Sequence, residues 1–267
     1  RMLGIKDFYA GLPVLRKKGL RDCQYEAITE LENSFRSGQN KALMVLATGA
    51  GKTYTACFAA YRFLAYTPMK RILFLVDRNN LGKQAEGEFG RFRLTENGDP
   101  FNTIFAVNRI RSSKVPQDTN VVISTIQRLF SLLKGENIED TDNDEEYDDT
   151  KEIEFPPNPN LPPEFFDMII IDECHRSIYG NWKKVLDYTA KLVGLTATPV
   201  PETKAFFNDN TIVNYTLDQS IVDGVNVDCR VYRIKTKATE EGGAILEGDK
   251  LKRATVYTGK VDNISNK

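Results

Sequence analysis

Two short stretches of this chain carry residue types that chemistry needs close together. The first is Leu46-Ala47-Thr48-Gly49-Ala50-Gly51-Lys52-Thr53. Gly49 and Gly51 allow a turn tight enough for several backbone N–H groups to face one anion. A helix opening at the end of that turn adds the partial positive charge of its N-terminus. Residues Thr48 to Thr53 would then cradle a nucleotide triphosphate. Lys52 would reach the β and γ phosphates, and the Thr53 hydroxyl would ligate Mg²⁺. The strict pattern begins with Gly, and here Leu46 stands in that position. A glycine-rich turn with a chance Lys-Thr pair is the competing reading.

The second stretch is Phe165–Ile171, which leads straight into Asp172-Glu173-Cys174-His175. Two carboxylates at the end of a buried strand are costly unless they have a task. Ligands of open α/β sheets gather at the carboxyl ends of the strands. Asp172 is placed to hold Mg²⁺ through water, and Glu173 to polarise an attacking water. The alternative is an acidic pair that caps the next helix. His175 is the single histidine of the chain. Alone it reads as structural; beside the acidic pair it gains a functional reading.

The elements that must position these groups follow from the apolar pattern. Nearly continuous apolar runs occur at Ala42–Ala47, Ile72–Val76, Thr103–Val107, Val121–Ser124, Met168–Ile171 and Leu192–Leu195. Strands apolar on both faces belong to a parallel sheet covered by helices. Helical candidates are Thr53–Ala65, Leu81–Phe89, Gln127–Leu133 and Trp182–Tyr188, preceded by Asp22–Phe35, where Tyr25, Ile28, Leu31 and Phe35 recur at helical spacing. The alternation predicts an α/β, doubly wound, mostly parallel sheet with helices on both faces. After Pro201 the pattern fades, with Arg230–Lys237 as one further candidate strand.

The chain has 267 residues and a formal charge of −1, unevenly placed. Between Glu136 and Glu154 eleven acidic residues and one lysine give −10, which leaves +9 for the rest. A mildly basic body with one acidic insert excludes a histone-like protein and leaves nucleic-acid binding open. The insert and the proline-rich stretch after it predict a long surface loop over 135–163. Cysteines at 23, 57, 174 and 229 form no CxxC pair, so a zinc ribbon is not supported. No secretory signal stands at the N-terminus, so reduced thiols in a cytoplasmic protein are expected. No apolar run approaches the roughly 20 residues of a membrane helix.

The two chemical stretches resemble known motifs. Asp172-Glu173-Cys174-His175 is similar to motif II of superfamily 2 helicases and translocases, Ala47–Thr53 to their motif I, and Thr196-Ala197-Thr198-Pro199 to motif III. Leu20–Gln24, Phe74–Arg78 and Ser124–Gln127 stand in the expected order. The run Phe165–Gly180, the acidic loop before it, Tyr215-Thr216-Leu217 and Val222-Asp223-Gly224 resemble the motor subunits of type I restriction endonucleases. This resemblance implies a RecA-like P-loop lobe using ATP and Mg²⁺. Gln24, helped by Arg21, would read the adenine edge. His175, Thr196 and Thr198 would couple the nucleotide site to the nucleic acid. Arg78, Thr125 and Gln127 would touch the backbone of double-stranded DNA, as suits a motor that must not read sequence.

The same resemblance implies methylase and specificity subunits as partners, and no membrane. Such motors place ATP between two lobes, and the 68 residues after Pro199 are too few for a second one. The family's nuclease site also has no counterpart in residues 1–20. The expected organisation is an N-terminal segment over 1–40, a first motor lobe over 41–200 and a linker over 201–267, all part of a longer protein. Another superfamily 2 DNA helicase (repair or type III restriction), and a nucleotide-binding module that does not hydrolyse, are the alternatives.

Overall fold

The computed structural model describes residues 5–94, 98–111, 115, 118–134, 161–162, 165–176, 186, 189–228, 250–254 and 261–265. The chain divides into two compact units, 1–227 and 228–267. The first contains a seven-stranded sheet in the order β3-β4-β2-β5-β6-β1-β7. Its strands are β1 (Lys41–Leu46), β2 (Ile72–Val76), β3 (Val107–Arg109), β4 (Val121–Thr125), β5 (Phe166–Ile171), β6 (Thr189–Thr196) and β7 (Thr211–Tyr215). Every pairing is parallel. The expected doubly wound fold is present.

Successive side chains of a strand point to opposite faces, and here both faces are covered. Ala42, Met44 and Leu46 of β1 enter one core with Ile72, Phe74 and Val76 of β2. Leu43 and Val45 enter the other with Leu73 and Leu75. The first core is closed by helices α2 (Asp22–Arg36), α3 (Lys52–Tyr66) and α4 (Asn79–Arg91). The second is closed by α5 (Ile126–Lys134) and by Phe207, which follows α6 (Pro201–Phe206). The short α1 (Ile5–Phe8) leads to Tyr9, Leu12 and Leu15, which join the first core, so the N-terminal segment packs as part of the lobe.

A buried ion pair ties that segment down. Arg62 of α3 donates to both carboxylate oxygens of Glu32 of α2, at 2.5 and 3.2 Å, and to the Pro13 carbonyl. Both side chains are 5% exposed.

Two parts of the sheet differ from the sequence pattern. The apolar run Thr103–Val107 is not a strand. Residues Phe101–Thr103 form a 3-10 turn, and β3 starts where that run ends, at Val107 opposite Val121. Phe101 and Phe105 are apolar because their rings pack against Phe89, Phe92 and Tyr61, not because they pair in a ladder. The sheet also continues past residue 200, where the pattern ends the lobe. Asn208 and Asp209 turn the chain at φ 56° and 55°, and β7 then pairs with β1. Five residues with a half-buried face give too weak an alternation to read.

Beyond the lobe, β8 (Lys250–Ala254) and β9 (Val261–Ser265) form an antiparallel pair. The acidic run 136–154, the candidate strand Arg230–Lys237, Cys229 and, apart from Leu186, the candidate helix Trp182–Tyr188 lie outside the described residues.

Candidate nucleotide-binding site

Sheet register decides where the chemical residues emerge. Val45 of β1 stands opposite Thr196 of β6, and Ile171 of β5 opposite Gly194 of β6 and Leu75 of β2. The residues after these strands therefore leave the sheet along one edge. They are the glycine loop, Asp172-Glu173, Thr196–Thr198 and Asp77-Arg78.

The glycine loop takes the conformation its sequence allows. Gly49 and Gly51 sit at φ 82° and 87°, in the left-handed region that glycine tolerates. Gly51 caps α3 there, and a Cβ on it would come within 2.5 Å of Gln24 Nε2. Three loop carbonyls accept from side chains outside the loop. Asn226 Nδ2 donates to Thr48 O at 2.8 Å, Arg21 Nη1 to Gly49 O at 2.8 Å, and Gln24 Nε2 to Ala50 O at 3.1 Å.

The acidic pair stands across from the loop. The Asp172 amide extends the ladder to Leu75 O at 2.8 Å, and its Oδ1 accepts the Glu173 amide at 3.1 Å. Glu173 lies at φ 48°, a conformation that costs a non-glycine residue on the order of 1–3 kcal/mol and that clusters at functional sites. A 3-10 turn over Cys174–Arg176 follows. Cys174 packs its sulfur against Gly194, where a Cβ would collide with it and with the Phe207 ring, so the turn lies close on β6.

A chain of polar contacts runs from the loop across the acidic pair. Lys52 Nζ is 3.3 Å from Glu173 Oε1, and Glu173 Oε2 is 3.5 Å from His175 Nδ1. His175 Nδ1 is in turn 3.0 Å from Thr196 Oγ1, which accepts the Thr198 amide at 3.1 Å. Burial first, and the Glu173 charge second, push the Asp172 carboxyl up to about 6, with Lys52 opposing. Thr53, the second residue of α3, and Asp172 offer oxygen donors of the kind a hard cation takes. Among the described residues no group of three or more His, Cys, Asp or Glu could hold a metal. Two such donors would leave the rest of the shell to waters and substrate oxygens, as Mg²⁺ prefers.

Beside Glu173 an open cleft of about 460 Å³ is lined by Asp77, Arg78, Leu81, Glu173, His175, Arg176 and Thr198. Arg176 Nη1 donates to Asp77 Oδ2 at 2.8 Å, and Arg78 Nε lies 3.7 Å from the same oxygen.

Lys52, Asp172, Glu173, His175, Thr196 and Thr198 are thus brought together, and Arg78 borders them. Gln24 and Arg21 reach the loop, but differently from a free adenine reader. Gln24 Oε1 accepts the Arg21 amide at 3.0 Å while its Nε2 holds Ala50 O, so both ends of the side-chain amide are engaged by backbone. Thr125 is a correction. It is 3% exposed, and its hydroxyl accepts the Arg128 amide at 3.3 Å, capping α5. A buried hydroxyl in that role offers no surface to a DNA phosphate. Gln127, half-buried on α5, has its Oε1 enclosed without a partner. Sequence reasoning missed Asn226, Asp77 and Arg176 as site residues. For the last two the signal was their place beside Arg78 and His175; Asn226 had none.

A parallel sheet with a glycine loop after its first-numbered strand, and an acidic pair facing that loop's lysine, defines a RecA-like P-loop nucleotide-binding lobe. The chain belongs to the family described as the type III restriction enzyme res subunit, whose model matches residues 17–201. It is 31% identical over 92% of its length to the endonuclease subunit of the type I restriction enzyme EcoKI from Escherichia coli K12, and spans 21% of that protein. Among solved structures it is similar to a fragment described as an HsdR subunit of a type I restriction enzyme from Vibrio vulnificus YJ016. That match has a TM-score of 0.54 and 24% identity, and covers 84% of this chain and 35% of that one. A second is a nuclease-deletion mutant of the type ISP restriction–modification enzyme LlaGI in complex with a DNA substrate mimic. It has a TM-score of 0.51 and 17% identity, and covers 78% and 21%. No helix among the described residues is long and apolar enough to cross a membrane.

Proposed function

We propose that the chain is the ATP-binding lobe of an ATP-driven double-stranded DNA translocase in a type I restriction–modification enzyme. One observation carries this reading: the line of contacts from Lys52 through Glu173 and His175 to Thr196. It joins a phosphate-binding lysine, a base for water and a link to the neighbouring strand end.

The reaction is hydrolysis of the terminal phosphoanhydride bond. Lys52 neutralises charge on the β and γ phosphates, and Glu173 orients a water and accepts its proton as the water oxygen attacks phosphorus. Thr53 and Asp172 would hold Mg²⁺, which would supply further charge neutralisation at the phosphates. Arg21 and Gln24, which hold the loop carbonyls, would border the base. His175, Thr196 and Thr198 pass changes at the γ phosphate to the cleft, where Arg78, with Gln127 beyond it, meets the DNA backbone. A second lobe in the longer protein closes the site. Methylase and specificity subunits hold the recognition sequence, and the complex works in the cytoplasm.

A type III restriction motor is the second reading, favoured by the family whose model matches residues 17–201. ATP hydrolysis by this chain and by the longer protein, with and without double-stranded DNA, tests the proposal. DNA-stimulated turnover in the longer protein, abolished by Glu173→Gln, is expected. Turnover unaffected by that substitution would overturn it. Translocation that proceeds without a methylase bound at a recognition site would favour the other motors.

A further inference from the structure

Of the three side chains that hold the glycine loop from outside, Arg21 and Gln24 belong to the start of α2. Asn226 comes from a different part of the lobe, after helix α7 (Leu217–Val222). Tyr215 ends β7, and its carbonyl accepts the Ala47 amide at 2.9 Å, which brings this segment to the root of the loop. Thr216 caps α7 through the Gln219 amide. Gly224, at φ 70°, turns the chain back, with its amide on Ile221 O.

Asn226 is then fixed at several points. The Val225 and Asn226 amides both donate to Ser220 O, at 2.8 and 3.0 Å. Asn226 Nδ2 donates to Ser220 Oγ at 2.8 Å as well as to Thr48 O. Ser220 is fully buried and donates its hydroxyl to Leu217 O at 2.6 Å, so the anchor is itself held by backbone. Asn226 Oδ1 lies 3.0 Å from where a Cβ would stand on Gly49. The side chain rests on the face of the loop that glycine leaves bare.

The consequence follows from the trans peptide, whose C=O and N–H point in opposite directions. A Thr48 carbonyl held toward Asn226 aims the Gly49 N–H the other way. The Ala50 carbonyl held by Gln24 does the same for the Gly51 N–H, while the Ala50 N–H closes a turn on Ala47 O. Two of the loop's amides are thereby aimed into it before any anion arrives. Preorganised donors of this kind need no reorganisation when charge enters.

We propose that Asn226 is a positioning residue for the phosphate site: its amide holds the Thr48–Gly49 peptide with the N–H turned toward the nucleotide. This rests on the reading of Ala47–Thr53 as a nucleotide loop. The test is calorimetric titration of the chain with Mg·ADP, alongside amide hydrogen exchange over residues 47–52 without nucleotide. Asn226→Ala is expected to weaken binding about tenfold, to speed exchange across the loop and to leave Tm unchanged. Asn226→Gln keeps the donor and restores part of both. Wild-type affinity and exchange in Asn226→Ala would overturn the proposal. So would a fall in Tm that Asn226→Gln shares, since that marks a merely structural role. Lys52→Ala separates the two readings. If it binds as the wild type does, or if the wild type does not bind, the nucleotide reading fails. Exchange then decides alone: faster in Asn226→Ala upholds the brace, and unchanged overturns it.

Discussion

Lys52 Nζ and Glu173 Oε1 stand 3.3 Å apart, so the cation proposed to bind phosphate and the carboxylate proposed to polarise water neutralise each other. Nucleotide must break this contact to claim Lys52, and breaking it releases Glu173 for water. Glu173→Gln removes the attraction and the base together. The variant is expected to bind Mg·ATP at least as tightly as the wild type, while turnover in the longer protein falls by about 10²-fold or more. Titration calorimetry and a phosphate-release assay separate the two effects. Weaker binding in the variant would contradict the competition.

Asp172 makes the lobe's stability depend on pH. Its carboxyl is raised from 3.8 to about 6, chiefly by burial. Below 3.8 both the folded and the unfolded chain hold the proton, and no penalty exists. As pH rises through 6 the folded chain must ionise a buried group, and stability is lost. Asp172→Asn lacks that penalty. It is expected to gain on the order of 2 kcal/mol above pH 6 and nothing near pH 4. Urea unfolding across pH 4–8 reads the difference, and a pH-independent gain would refute the assignment.

The Arg62–Glu32 pair joins α2, α3 and the Pro13 carbonyl away from water. Glu32→Ala leaves a buried guanidinium without its counter-charge. A loss of about 3–5 kcal/mol is expected, with the segment before α2 becoming protease-sensitive. A loss below about 1 kcal/mol would mean that the pair behaves as a surface one.

Arg78 and Thr125 separate contact from packing. Arg78 is 63% exposed at the cleft, whereas Thr125 is buried as a cap. Arg78→Ala is expected to lower the salt slope of duplex binding by about one. Thr125→Ala is expected to leave that slope alone and to cost about 1 kcal/mol of stability. Equal effects of both on the slope would restore Thr125 as a DNA contact.

The sequence by itself determined the sheet and the chemical groups. β2 was legible to the residue, because a strand buried on both faces must be apolar throughout, and Gly49-Ala50-Gly51-Lys52-Thr53 was legible because only glycine turns so tightly. Tertiary structure decided what each group meets. Phe105 reads as a strand residue because apolar type reports burial and not hydrogen bonding. β7 escapes the sequence pattern because its five residues, with one face half-buried, alternate too weakly. Thr125 read as a surface contact because a threonine's type does not reveal which way its hydroxyl faces. Asn226 carried no signal at all. Its meaning comes from the turn at Gly224 that carries it to Thr48, 178 residues away, a distance no local pattern can span.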